Sequence, residues 1–341
     1  MILKKNLIVA FIAVLFVCVI CSNALSKTHS GVIVMEVDLS NWAQGQIARL
    51  WIPYPVSDRD QLISDIQTSG DYSNIGVYTD RSYGTPILYA EWLKDATSRK
   101  LKFSFKVERQ EVSRGTFPNK EPNWNPADYE KYLKPTSFAP IDGEVKKLAD
   151  TITKGKKTVL KKAKAIYDWV CENMYRDPKT IGCGKGDVCQ LLERPGGKCT
   201  DISSVFIALA RAAGVPAREV FSIRLGKKPR QDVTTWQHCW AEFFLPGYGW
   251  VSVDPADVRK KMLVEKLDLK DDRSNAYRDY FWGSIDPYRV VIAHGRDIVL
   301  NPPQKGAPLN TFGYPYAEVG GHPIDFYDAA SFVYRITYHE K

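Results

Sequence analysis

The sequence predicts an α+β fold in which most strands are antiparallel. Strand-like segments fill residues 31–112, helical patterns occupy residues 143–175 and 201–214, and strands return after residue 217. Because these patterns come in separate blocks and do not alternate as strand, helix, strand, a parallel sheet is not expected. The chain of 341 residues is 44% hydrophobic, which is enough for about two domains with a substantial core.

Residues 1–24 are predicted to be a signal peptide. Lys4 and Lys5 precede an apolar run at residues 7–20, and the small residues that follow predict cleavage after Ala24. A signal peptide has an apolar stretch of about 7–15 residues, whereas a membrane span needs about 20. We therefore expect a periplasmic or extracellular protein with no stable membrane span after cleavage. An uncleaved membrane anchor is the alternative.

Residues 25–140 are predicted to form an N-terminal β-rich domain followed by a linker. In "KLKFSFKVERQEV", Leu101, Phe103, Phe105 and Val107 alternate with polar residues. This alternation is typical of an antiparallel strand with one face on a core. Residues 113–140 are rich in Pro, Asn and Tyr and are interpreted as the linker.

Residues 141–260 are predicted to form the catalytic core, and residues 261–341 a β-containing extension packed on it. Apolar residues recur at helical spacing within residues 143–175. A second helix is expected from Asp201 to Gly214, with Pro216 beyond its end. The segment "WAEFFLPGYGWVSVDP" predicts a β-hairpin.

The net charge of +8 is concentrated most densely in "TKGKKTVLKKAK", residues 153–164. Its lysines alternate with apolar positions at helical spacing. This pattern favours a solvated helix face over a site for a polyanion or a membrane surface. No nucleic-acid-binding module is visible, so we expect no nucleic-acid partner.

The cysteines indicate at least one free thiol. Five follow the predicted signal peptide: Cys171, Cys183, Cys189, Cys199 and Cys239. In an oxidising compartment an odd number leaves at least one unpaired. "CGKGDVC" either closes as a disulfide between Cys183 and Cys189 or holds two unrelated thiols. Because the ligand spacings of zinc sites are missing, no metal and no other cofactor is expected.

Cys199 is the candidate nucleophile. It stands in "RPGGKCTDISSVFIALARAAGVPAR", between a glycine-rich turn and the predicted helix. A helix N-terminus lowers the pKa of a thiol, and the backbone N–H of Cys199 can face an oxyanion. Gly196 and Gly197 permit a tight turn that leaves the sulfur approachable. A buried packing cysteine is the ordinary alternative.

His238 and Asp254 are the candidate base and its orienting group. If Phe244 pairs with Trp250 in the hairpin, Trp240 lies opposite Asp254, and His238 is the diagonal neighbour of Asp254 on the same face. A register shifted by two residues would place His238 directly opposite Asp254, and either register allows the two side chains to form a hydrogen bond. A carboxylate in this position fixes the imidazole tautomer. Cys199, His238 and Asp254 together therefore indicate a catalytic triad.

Several other residues are weaker candidates. Glu242 is a rival orienting group, and Tyr175 or Gln190 is a possible second oxyanion donor. Trp236, Trp240 and Trp250 either line an acyl pocket or belong to the core. Lys198 either supports a thiolate or is solvated. Cys239 points to the opposite face from His238, where it packs or forms a disulfide.

These residues resemble the transglutaminase-like superfamily, in its exported bacterial branch. The matching pieces are "GGKCTDISSVFIALARAAGVPAREV" and "QHCWAEFFLPGYGWVSVDPA", in the family's order of Cys, His and Asp. The resemblance covers residues 150–260, and "RLWIPYP" and "HGRDIVLNPP" are similar to flanking regions of that branch. It implies a papain-like core, with a cysteine-bearing helix packed on an antiparallel sheet. The family often has a small apolar residue where this chain has Cys239, which suggests a disulfide near the site.

We therefore expect an exported thiol enzyme that acts on a peptide or protein substrate through a thioester intermediate. Hydrolysis is favoured over transfer to an amine, because a thioester escapes water only in a closed site. One alternative is a non-catalytic module that binds a polymer or a protein. A second is a metallohydrolase that uses Cys199, His238 and Asp254 as metal ligands.

Overall fold

The computed structural model describes residues 27–114, 116–118 and 120–341. The predicted signal peptide lies outside these residues. Among the described residues, no helix has the length and apolar character needed to cross a membrane.

Most strands and helices follow the blocks predicted from the sequence, but three helices, at residues 188–193, 255–265 and 272–280, were not predicted. The strands before the first α-helix are β1 (Thr28–Asp38), β2 (Ala48–Pro53), β3 (Gln61–Gly70), β4 (Asn74–Thr79), β5 (Pro86–Trp92), β6 (Lys100–Gln110) and β7 (Val112–Ser113). The α-helices are α1 (Gly143–Ile152), α2 (Val159–Asn173), α3 (Val188–Glu193), α4 (Cys199–Ala212), α5 (Pro255–Glu265) and α6 (Asp272–Tyr280).

The later strands surround and follow these helices. They are β8 (Tyr175–Arg176), β9 (Gly196–Gly197), β10 (Ala217–Arg224), β11 (Arg230–Asp232), β12 (Gln237–Leu245), β13 (Gly249–Val253), β14 (Ser284–Ile285), β15 (Arg289–His294), β16 (Tyr316–Val319), β17 (His322–Pro323) and β18 (Val333–Glu340). The fold is thus α+β with antiparallel sheets, which confirms the predicted class.

Strands β1 to β6 belong to two five-stranded sheets, ordered β11-β18-β1-β6-β3 and β17-β16-β2-β5-β4, while β7 pairs with β14. In β6, Leu101, Phe103, Phe105 and Val107 are all buried, as their alternation predicts. Strands from the C-terminal segment complete both sheets, because β18 pairs with β1 and β16 pairs with β2. The two ends of the described chain are therefore tied together by backbone hydrogen bonds.

The segment between β7 and α1 packs on the core. It contains a 3₁₀ helix, Pro126–Tyr132, whose Tyr129 ring stacks on Phe244 with centroids 3.9 Å apart. Nη1 of Arg211 donates a hydrogen bond of 2.9 Å to the carbonyl of Lys134. The residues interpreted as a linker are thus fastened to α4 and β12.

The central sheet has the order β13-β12-β10-β15, and α4 packs against β12 and β10. Phe244 pairs with Trp250 and Ala241 with Val253. Of the two hairpin registers that the sequence left open, the structure therefore has the one that pairs Phe244 with Trp250. This arrangement brings one end of β12 next to the N-terminus of α4.

Helix α4 is more enclosed than an apolar stripe predicts, since all 14 of its residues are buried. A helix buried on every side must satisfy its polar side chains internally. Arg211, for example, donates Nε to the carbonyl of Ala217 at 3.0 Å. The helix ends before Gly214, whose φ of +77° suits glycine.

The lysine-rich segment forms the start of α2 and the turn before it. Lys154, Lys156, Lys157 and Lys161 are exposed. Their exposure agrees with the predicted solvated face.

Candidate active site

Cys199 is the first residue of α4 and lines a cleft of about 1120 Å³. The chain before it is held by Asp201. Its carboxylate accepts hydrogen bonds from the backbone N–H groups of Lys198, at 2.9 Å, and Gly186, at 2.7 Å. The thiol therefore has a defined position at the positive end of the helix dipole.

Two glycines permit this close approach of loop and helix. A Cβ atom on Gly197 would lie 2.4 Å from Cβ of Asp201, and one on Gly184 would lie 1.9 Å from its Oδ2. Gly184 also has a φ of +94°. The glycine-rich sequence is thus required by the packing around Asp201.

Three thiols meet beside the helix N-terminus, those of Cys183, Cys199 and Cys239. Hydrogen bonds from Cys183 and then Cys239 hold the pKa of Cys199 well below its usual range, and His238 lowers it further, while burial opposes the shift. Burial raises the pKa of Cys239. Cys199 is therefore the thiol of the three that ionises most readily.

None of the five described cysteines forms a disulfide; Cys171, Cys183, Cys189, Cys199 and Cys239 are all free. The alternative of two unrelated thiols in "CGKGDVC" is thus the observed one. Cys239 packs with its Sγ 3.2 Å from Oγ1 of Thr200, and the suggested disulfide near the site is absent.

His238 and Asp254 lie together in the buried wall of the cleft. Nε2 of His238 is 2.7 Å from Oδ2 of Asp254, and the two residues are 4% and 0% exposed. This contact leaves Nδ1 as the imidazole nitrogen that can bond the Cys199 thiol. The diagonal contact predicted from the hairpin register is confirmed.

Arg289, at the start of β15, holds the carboxylates behind His238. It donates Nη1 to Oδ2 of Asp254, and Nη2 to Oδ2 of Asp257 and of Asp286, both at 2.7 Å. Burial alone raises the pKa of Asp257, but the charges of Arg224 and Arg289 outweigh it and hold that pKa well below the usual range. Arg289 therefore fixes the three carboxylates in place.

Sequence reasoning missed both Arg289 and Asp257. Asp257 follows Asp254 by three residues in the first turn of α5, and its backbone N–H donates to Oδ1 of Asp254 at 2.8 Å. Arg289 opens the apolar strand "RVVIAH". A single arginine at the start of an apolar strand could have marked Arg289 as a buried charge. The carboxylates that it bonds can be identified only from the fold.

The rival orienting group does not contact His238. Glu242 accepts hydrogen bonds from Arg218 at 2.8 Å and from Ser252 at 3.0 Å. The two proposed oxyanion donors also lie apart from the cleft wall: Gln190 is exposed on α3, and Tyr175 lies against Gly196. Lys198 does line the cleft.

Of the three candidate tryptophans, only Trp236 lines the cleft. Trp240 is buried in a small cluster with Val220 and Ile285. Trp250 packs against Phe244 and beneath Arg218. The core interpretation therefore holds for Trp240, whereas Trp250 is part-buried and lies outside both the cleft lining and the core clusters.

Among the described residues, His238, Asp254 and Asp257 form a group whose ligand atoms lie within 4.8 Å of one another. Such a group could accept a cation, and Arg289 already supplies one by bonding both carboxylates. Cys199, which the metallohydrolase alternative requires as a ligand, is not part of this group. These three residues are thus better explained as partners of the Arg289 guanidinium in a hydrogen-bond network than as ligands of a metal ion.

The rest of the cleft is lined mainly by aromatic and charged side chains, and the charged ones include the carboxylates of Asp257, Glu265 and Asp286. The C-terminal segment contributes aromatic side chains that the sequence analysis did not assign to the site: Tyr314, Phe326, Tyr327, Phe332 and Tyr334. The cationic lining residues are Arg176, Lys198, Arg224, Lys227, Lys260 and Lys261. The cleft is large enough for several residues of a peptide.

Comparisons with known proteins agree with this architecture. Residues 146–255 match the model of the transglutaminase-like superfamily. An uncharacterized protein of Haemophilus influenzae is 41% identical over 317 residues, covering 86% of both chains. The uncharacterized protein YebA of Bacillus subtilis is 25% identical over 210 residues, which are 58% of this chain and 25% of that protein.

A solved structure of similar fold is described as "a Putative Cysteine Protease from Cytophaga hutchinsonii". It has a TM-score of 0.53 and 17% identity, and covers 92% of this chain and 99% of its own. At that identity the likeness concerns the fold alone. With the cysteine-bearing helix on its antiparallel sheet and the family match across it, the chain belongs to the transglutaminase-like superfamily.

Proposed function

We propose that this protein is an exported thiol hydrolase that cleaves amide bonds in peptides or proteins. Cys199 is the nucleophile, His238 the base and Asp254 the group that orients His238. The observation that carries the proposal is the placement of the Cys199 thiol at the N-terminus of α4, within hydrogen-bonding reach of His238, which itself bonds Asp254. Nucleophile, base and orienting group thus follow one another as nucleophilic catalysis requires.

The reaction begins when the Cys199 thiolate adds to the amide carbonyl carbon, and the carbonyl oxygen becomes an oxyanion near the backbone N–H of Cys199. Protonated His238 gives its proton to the amide nitrogen, the C–N bond breaks, and the amine leaves. Water then adds to the thioester while His238 takes its proton. The C–S bond breaks, releasing a carboxylic acid and restoring the thiolate.

Hydrolysis is proposed over transfer to an amine because of the size of the cleft. At about 1120 Å³ it holds many water molecules of about 30 Å³ each beside the thioester. Transfer requires that water be kept from the thioester. Amine transfer remains the alternative activity of the same three residues.

The first test is the rate of Cys199 alkylation by iodoacetamide as a function of pH, measured by mass spectrometry. In the wild type we expect fast reaction well below pH 8.5, the usual midpoint for a cysteine. In His238→Ala we expect Cys199 to lose this fast reaction at low pH. A wild-type rate that rises only near the ordinary thiol midpoint would argue instead for a non-catalytic binding module.

The second test separates hydrolysis from transfer. The protein is incubated with a peptide library and an excess of methylamine, and the products are identified by mass. We expect acid products that disappear in Cys199→Ser. Stoichiometric methylamine incorporation without acid product would reverse the order of the two activities.

Export is part of the proposal and rests on residues 1–24, with their two lysines and apolar run. Expression of the full chain in a bacterium with fractionation tests it. We expect a mature N-terminus at Leu25 in the periplasm or medium. A mature protein that retains residues 1–24 in the membrane fraction would show an uncleaved anchor.

A further inference from the structure

Cationic side chains cluster in the cleft beside Cys199. Arg176 lies on β8, where it pairs with Gly197, two residues before the cysteine. Lys260 lies on α5, and α5 packs against β8. Arg176, Lys260 and Arg224 all line the cleft. The site therefore carries several like charges within one wall.

The three carboxylates that line the cleft form ion pairs with other cations: Asp257 with Arg224 and Arg289, Glu265 with Arg273 and Lys261, and Asp286 with Arg289. Asp257, the buried carboxylate in this wall, bonds Arg224 at 2.6 Å and Arg289 at 2.7 Å. Within the described part of the chain, neither Arg176 nor Lys260 forms a salt bridge. Nη1 of Arg176 is buried without a hydrogen-bond partner. A buried donor with no partner costs about 1–3 kcal/mol, so a ligand that supplies an acceptor gains affinity here.

The titration of Lys260 is consistent with this imbalance. Burial lowers its pKa, and repulsion from Arg224 and Arg176 lowers it further, while Asp257 and the Cys199 thiolate oppose the shift. An anion bound between Arg176 and Lys260 relieves the repulsion and favours the charged ammonium.

We propose that Arg176 and Lys260 bind a carboxylate of the substrate, carried next to the amide bond that Cys199 attacks. The inference rests on the proposed function, because it names the class of peptide that the same cleft accepts. A planar carboxylate matches the fork of the Arg176 guanidinium, and Lys260 adds a point charge from the neighbouring helix α5. The carboxylate is either an acidic side chain or the C-terminal carboxylate of the peptide.

The charge of the site is tested with two alkylating agents of similar size, iodoacetate and iodoacetamide. Their rate ratio is measured by mass spectrometry at Cys199 and, in the same sample, at the exposed Cys189 as a reference thiol. We expect the ratio of iodoacetate to iodoacetamide to be about tenfold higher at Cys199. The cationic side chains that line the cleft outnumber its carboxylates, and a surplus of one charge concentrates the opposite ion. The excess should fall several-fold in Arg176→Gln and Lys260→Gln.

The control variant is Lys228→Gln, which removes one charge from an exposed lysine outside the cleft. It should leave the ratio at Cys199 unchanged. A ratio equal to that of Cys189, or one that Lys228→Gln lowers as much as Arg176→Gln does, would overturn the anion site. The iodoacetamide rate by itself reports on the reactivity of Cys199. A failure of the proposed function can therefore be distinguished from a failure of the anion site.

A binding experiment on Cys199→Ala needs no reactivity. Calorimetry compares three pentapeptides: Ala-Ala-Glu-Ala-Ala blocked at both ends, its Gln counterpart blocked likewise, and the Gln peptide with a free C-terminal carboxylate. We expect one of the two anionic peptides to bind about tenfold more tightly than the neutral one, and to lose that advantage when Arg176→Gln is added. Tight binding of the Glu peptide assigns the site to a side chain, and tight binding of the free acid assigns it to a C-terminus. Equal affinity for all three would contradict the proposal.

Discussion

The guanidinium of Arg289 is hydrogen-bonded to the carboxylate of Asp254, and both residues are fully buried at 0% exposure. The same carboxylate oxygen meets Nε2 of His238 at 2.7 Å. A buried carboxylate needs compensation for its lost hydration, and Arg289 supplies it. Arg289 thereby positions Asp254, and its Nη1 also lies 3.3 Å from Nε2 of His238, so it contacts the imidazole directly.

Arg289→Gln is expected to lower the free energy of unfolding by about 3–5 kcal/mol, because it leaves buried carboxylates without their counter-charge. Arg289→Lys keeps the positive charge but loses the two-pronged guanidinium, so its free energy of unfolding should fall by less. Urea unfolding followed by circular dichroism measures both. The control is Arg335→Gln, whose ion pair with Asp232 is exposed and contributes about 1 kcal/mol or less. Similar losses in Arg289→Gln and Arg335→Gln would refute the role of Arg289.

Asp254→Asn is expected to reduce the rate of amide hydrolysis by a factor of about 10²–10⁴. The amide no longer stabilises the protonated imidazole or selects its tautomer. Asp254 also accepts the hydrogen bond from the backbone N–H of Asp257 that caps α5, and asparagine retains a suitable oxygen for it. The loss should therefore appear in kcat more than in stability.

Glu242→Gln is the matched variant for this comparison, since Glu242 is the other carboxylate of the hairpin and bonds Arg218. We expect it to retain most of the hydrolytic rate. If Glu242→Gln lowered kcat as far as Asp254→Asn, the assignment of the orienting group would be wrong.

Cys183→Ala is expected to raise the pKa of Cys199. The hydrogen bond from Cys183 is the largest influence that lowers this pKa, and alanine cannot donate it. The thiolate fraction at a given low pH should then fall, and the pH profile of Cys199 alkylation should move to higher pH. Cys189→Ala, at an exposed free thiol, serves as the control and should leave the profile in place. An unshifted profile in Cys183→Ala would count against the thiol cluster.

Acidification is expected to destabilise the protein partly through His294. Burial, followed by repulsion from Arg218, lowers the pKa of this histidine from 6.5 to about 4. The unfolded chain therefore binds more protons than the folded one between these values, so the free energy of unfolding falls as the pH drops through that window. From pH 7 to pH 5 we expect a loss of about 1–2 kcal/mol from this group.

Urea unfolding of the wild type and His294→Gln at both pH values measures the contribution. The pH-dependent loss should shrink in His294→Gln and persist in His322→Gln, where the histidine is exposed. Equal pH dependence in all three proteins would show that His294 does not titrate in this window.

The amino-acid sequence by itself determined the α+β class, the hairpin, and the contact between His238 and Asp254, which either of two registers allows. These features depend on local rules. Side chains alternate along a strand, and a tight turn sets which residues face each other. The glycine-rich turn before Cys199 likewise marked the start of α4.

Only the tertiary structure decided which residues from distant parts of the chain contact Cys199, His238 and Asp254. Arg289 reaches Asp254 because β15 pairs with β10, and Cys183 reaches Cys199 through a loop pinned by Asp201. The aromatic wall of the cleft comes from residues 314–334, and β18 returns to pair with β1. Such pairings join residues far apart in the chain. Their selection depends on packing and on the balance of buried charges, which no local pattern of residues records.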